Sequence, residues 1–114
     1  MMFEKVISDL NKAGVSSYLQ GPGQLVVCTT IPNFPTSNSF WVTCRDGVWF
    51  ISTWLPAIYR IPLTQQIADV CVAVLKSSQT AAYRISDECI RKFALEELNE
   101  REAETFLEAM SKDS

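Results

Sequence analysis

The chain has 114 residues, 47% of them hydrophobic and 20% charged, which fits one globular domain over residues 1–114 and excludes a disordered or fibrous chain. Its net charge of -3 argues against a sequence-independent grip on nucleic acid, which needs clustered Lys and Arg. No apolar run reaches transmembrane length and no basic-then-apolar leader opens the chain, so a soluble cytoplasmic protein with no membrane partner is expected.

Phe3, Val6, Ile7 and Leu10 recur at helical spacing with Glu4, Lys5, Asp9 and Lys12 between them. This predicts a short amphipathic helix that Gly14 stops. Residues 16–20 and 24–30 read as two strands about the Gly21-Pro22-Gly23 turn. Residues 31–38 read as a loop, because Pro32 and Pro35 remove ladder donors and fix φ.

Residues 40–54, FWVTCRDGVWFISTW, form the most distinctive stretch. Asp46-Gly47 is a strong hairpin signal, since a two-residue type I′ turn needs positive φ at both central positions. A turn there pairs Cys44 with Trp49, Val42 with Ile51 and Phe40 with Thr53 on one face. The opposite face receives Trp41, Val48, Phe50 and Trp54. A half-buried antiparallel hairpin is normally apolar on one side only. Both sides of this one must leave water.

Residues 58–61 read as a short fifth strand or a covering segment. After Pro62, Ile67, Val70, Cys71, Val74 and Leu75 stripe a helix that Ala68, Val72 and Ala73 make apolar nearly all round, the pattern of a buried helix. Ser86 is a predicted N-cap, followed by Asp87 and Glu88 in the first turn. Asn99 with Glu102 three residues later resembles a capping box, and Ala103, Phe106, Leu107 and Met110 supply the buried stripe of that last helix.

The chemistry-bearing residues are sparse. The chain has no histidine, which excludes an intrinsic Ser-His or Cys-His pair. Its four glycines fall at predicted caps and turns and build no phosphate loop. Cys28, Cys44, Cys71 and Cys89 lack C-x-x-C spacing, which points away from a metal site, and each lies in an apolar pattern, as a buried free thiol does. Cys44 beside Arg45 is the one conceivable nucleophile, but alternation places it on the core side of its hairpin. Between residues 13 and 82 the only charges are Arg45, Asp46, Arg60, Asp69 and Lys76. No cofactor is expected.

Two surfaces remain. One is the aromatic face of Trp41, Val48, Phe50 and Trp54, an apolar area near the limit that monomers leave bare, which the chain's own helices, a second copy, or another partner or ligand would cover. The other is an acidic stripe of Glu96, Glu100, Glu104 and Glu108, which line up if the C-terminal helical region is near-continuous. From Arg84 onward nine acids face five bases, a composition suited to a solvated face or to docking on a basic protein.

The sequence thus predicts an α+β fold: an N-terminal helix, a four-stranded antiparallel sheet of two hairpins with the second turn at Asp46-Gly47, then two or three helices packed on the sheet. The expected function is a non-enzymatic interaction or regulatory module, a homodimer through its sheet or a binder of another protein. The competing expectation is a small-molecule binder or minor enzyme. Its aromatic pocket would be lined by Phe34, Trp41, Trp54 and Tyr59, with Arg60 as anion anchor.

Overall fold

The computed structural model describes residues 2–20, 24–29, 39–54, 56–77 and 83–112. The elements run α1 (Met2–Lys12), β1 (Val15–Leu19), β2 (Gln24–Thr29), β3 (Ser39–Arg45), β4 (Val48–Ser52), β5 (Ile58–Ile61), α2 (Ile67–Ser77), α3 (Asp87–Lys92), β6 (Glu96–Glu97) and α4 (Glu100–Lys112). The fold is α+β. Its strands form one antiparallel meander in the order β1-β2-β3-β4-β5-β6, six where the sequence predicts four. The Gly21-Pro22-Gly23 turn and the loop over residues 31–38 lie outside the described residues.

The central hairpin forms as the turn chemistry requires. Asp46 and Gly47 both take positive φ, 53° and 79°, and the register pairs Cys44 with Trp49 and Val42 with Ile51. Alternation then divides the sheet. One face presents Leu25, Val27, Phe40, Val42, Cys44, Ile51, Tyr59 and Ile61 to the helices, where they join Phe3, Val6 and Leu10 of α1 and Val70, Cys71, Val74 and Leu75 of α2 in one cluster. Phe3 meets Trp49 edge to face at 5.2 Å between ring centroids. This inner face is the main core.

The two extra strands have local causes. Thr53 closes the β4–β5 connection twice over: its backbone N–H donates to the Ala57 carbonyl, and its hydroxyl accepts from the Ala57 N–H, each at 3.0 Å. That turn returns residues 58–61 along β4. Further on, the sequence leaves the helical region near-continuous through Glu96, whereas α3 ends at Lys92. The Leu95 N–H donates to the Ile90 carbonyl and the Ala94 N–H to that of Arg91. Together with a left-handed Ala94 at φ 53°, this is a Schellman stop. Ala is a poor residue for that conformation, which costs about 1 kcal/mol relative to Gly, so residue type gave no warning of it. The chain leaves the stop extended, and Glu96 pairs with Arg60 as β6.

The capping signals form as bonds. Ser86 Oγ accepts from the Cys89 N–H at 3.3 Å. Asn99 and Glu102 bond reciprocally, with the Glu102 N–H donating to Asn99 Oδ1 at 2.8 Å and the Asn99 N–H to Glu102 Oε1 at 3.1 Å. This box turns the chain back over the outer face of the sheet as α4. The C-terminal helices therefore separate: α2 and α3 belong to the inner core, while α4 packs outside in a small second cluster of Ile58, Leu98 and Phe106 with Phe50, Ala103 and Met110.

Candidate functional site

The outer face is where the structure leaves its surfaces open. Six strands at about 4.8 Å spacing span roughly 24 Å, and a helix is about 10 Å across, so α4 alone covers less than half. It lies over the β4–β6 side, where Phe106 packs on Phe50 at 4.9 Å between centroids. Toward the β1–β3 side α4 reaches Arg45 at the end of β3, which lies 3.8 Å from Met110 Sδ.

The structure splits the predicted aromatic face at this boundary. Phe50 sits beneath α4 and Val48 lines the flank of that helix, both half-buried. Trp41 and Trp54 remain beyond it and meet each other in a tilted contact, centroids 4.8 Å apart and ring planes at 51°. Each ring is tethered by its indole N–H: Trp41 donates to Gln20 Oε1 at 3.0 Å and Trp54 to the Ser39 carbonyl at 3.2 Å. Trp54 is still 56% exposed, as is Tyr18. Tyr18 lies on the same face, because Tyr18 and Trp41 both pair with Val26. Beside this pair the hydroxyls of Thr43 and Ser52 are buried and make no hydrogen bond. The Trp pair thus sits beside two buried hydroxyls, with the exposed Tyr18 on the same face.

The pocket expected from Phe34, Trp41, Trp54, Tyr59 and Arg60 is not assembled by the described residues. Phe34 lies outside them. Tyr59 and Arg60 are neighbours on one strand and so point to opposite faces. Tyr59 is buried in the inner core, where burial and the adjoining Glu97 carboxylate push its phenol up to about 12. Arg60 instead joins a groove of about 540 Å³ between α4 and the sheet, with Arg45, Val48, Phe50, Arg101 and Phe106 along it. Sequence gave no signal for this groove, since Arg45, Arg60 and Arg101 meet only when α4 folds over the outer face. The charge of Arg60 is already answered within the chain. Arg60 pairs with Glu96 and, at 3.3 Å, with Glu102, and Arg45 lies 3.8 Å from Met110 Sδ. A guanidinium held by two carboxylates has little left for an anionic ligand.

The acidic stripe is likewise divided. Glu96 lies on β6 and spends its charge on Arg60, whereas Glu100, Glu104 and Glu108 are exposed on α4. Leu107, expected in the buried stripe of that helix, is exposed, and Phe106 is the buried residue.

The three described thiols are withdrawn from solvent. Cys44, Cys71 and Cys89 are free and buried, and the Cys28 side chain lies outside the described residues. Burial pushes Cys71 up to about 12 and raises Cys44 as well, with a backbone hydrogen bond from Gly47 pulling Cys44 the other way. Cys89 Sγ sits 2.8 Å from Ser77 Oγ and 3.5 Å from the Ala73 carbonyl, which accounts for its polar contacts structurally. No described helix is long and apolar enough to cross a membrane. No family model, curated protein or solved structure matches the chain.

Proposed function

We propose that this protein is a non-enzymatic interaction module that associates with a second copy of itself through its sheet. One observation carries the reading. No charged residue occurs from position 13 through 44, so β1, β2 and most of β3 form an uncharged half of the sheet, beside which Tyr18, Leu19 and Trp54 are exposed and Trp41 is half-buried against Trp54. Soluble monomers usually guard such surfaces with charge, particularly on edge strands. Charges are depleted in the centres of protein interfaces. The acidic α4 lies on the other half, where it gives the assembly solubility and a long-range field for attracting basic surfaces.

Light scattering at micromolar concentration is expected to give the mass of a dimer, falling toward the monomer on dilution. A monomer across the accessible concentration range contradicts self-association.

A further inference from the structure

We infer that two copies join strand to strand along β1, in an antiparallel register centred on Ser17, to make one continuous sheet. This rests on the self-association proposed above and names the element that mediates it.

The orientation of the β1 backbone follows from its pairing with β2. The Gln20 N–H donates to the Gln24 carbonyl at 2.9 Å, and antiparallel pairs alternate between those that exchange backbone hydrogen bonds and those that do not. Tyr18 and Ser16 therefore bond inward to β2 with Val26 and Cys28. Val15, Ser17 and Leu19 direct their N–H and C=O groups away from it. Among the described residues β1 ends the sheet, so these groups face an open edge.

That edge lacks the usual protection. Val15–Leu19 reads VSSYL, with no Lys, no Pro and no other charge, and residues Ser16 to Gln20 are exposed or half-exposed. Charge and Pro are two of the devices that keep an edge from pairing, beside bulges and covering segments. The strand is also self-complementary. Centring a two-fold axis on Ser17 sets Ser17 opposite the partner's Ser17 as a hydrogen-bonded pair, and Leu19 opposite the partner's Val15. Every outward-facing residue then meets another outward-facing one. Shifting either copy by a single residue would set outward groups against inward ones.

Two side chains fit the same register. The Ser17 hydroxyl is buried without a hydrogen-bond partner; across such a pair the Cα atoms lie about 5.5 Å apart, near enough for two serine hydroxyls to meet after a χ1 rotation. Leu19, 43% exposed, gains an apolar neighbour on the helix-covered side. The axis stands perpendicular to the sheet, so both outer faces stay on one side. The two Trp41–Trp54 pairs then flank the axis, roughly 24 Å apart across five strand intervals, and take no part in the contact.

The test uses engineered thiols and light scattering on the full chain. Ser17→Cys should form an intermolecular disulfide on mild oxidation, since about 5.5 Å lies within disulfide range, while Ser16→Cys, two residues out of register with its own copy, should not. Ser17→Pro removes only an outward N–H and spares the β1–β2 ladder, so it should give a folded monomer, as should Leu19→Lys by placing a charge on the edge. Trp54→Glu should remain a dimer. If the wild type is a dimer that Ser17→Pro and Leu19→Lys leave intact, or if Ser16→Cys cross-links as readily as Ser17→Cys, the edge register is wrong while self-association stands. A monomeric wild type overturns both.

Discussion

Val70→Asp is expected to abolish cooperative folding. Val70 is fully buried on α2 within the inner cluster, flanked by Cys71, Val74 and Leu75. The substitution places a carboxyl group where no described side chain offers a compensating charge, and an unpaired buried carboxyl costs several kcal/mol even when it protonates. Domains of this size have only about 5–15 kcal/mol in total. The measurement is thermal melting by circular dichroism. The expected trace has no cooperative transition near the wild-type Tm. A melt within a few degrees of wild type would mean that α2 is not the core helix it is here described to be.

Phe106→Ala is expected to release α4 while sparing the sheet. Among the described residues the outer cluster contains three buried side chains, Ile58, Leu98 and Phe106, and Phe106 also carries the ring contact with Phe50. Phe→Ala in a packed site costs about 3–5 kcal/mol; the small size of this cluster sets the expectation near 3 kcal/mol. The Arg60–Glu102 ion pair offsets little of that, because both partners remain partly exposed. Melting should shift down by about 10 °C or more, with loss of hydrogen-exchange protection confined to residues 100–112 under mild conditions. Leu107→Ala is the control, since Leu107 stands beside Phe106 on the same helix but is exposed; its effect should stay within about 0.5 kcal/mol. Equal effects of the two substitutions would contradict the placement of α4.

Sequence made the local chemistry legible and left the assembly of the outer face obscure. Asp46-Gly47, the Asn99–Glu102 box, the Ser86 cap and the apolar α2 are signals written in adjacent residues, and each appears in the structure. Two features were hidden because no residue type announces them. Ala94 takes the left-handed position that glycine normally marks, and β6 is two residues long, too short for any periodicity to register. Once α3 stops there, Glu96 leaves the acidic stripe and α4 folds onto the outer face. That single reversal divides Phe50 from the Trp41–Trp54 pair and creates the arginine-lined groove. The two-sided apolar hairpin was visible from alternation alone; which helix covers which half was not.

If the account of the uncharged β1–β3 half is right, the amides of Ser17 and Leu19 are the most sensitive reporters. Both point out of the sheet, so in an isolated chain they have no described acceptor and should exchange with solvent far faster than the inward-bonded amides of Ser16 and Tyr18. Amide hydrogen exchange resolved by residue, at high and low protein concentration, reads this directly. The expected result is that Ser17 and Leu19 are protected comparably with Ser16 and Tyr18 at high concentration, and that this protection falls on dilution while theirs persists. Rapid exchange of Ser17 and Leu19 at every concentration, beside slow exchange of Ser16 and Tyr18, would contradict it: the β1 edge would then face water.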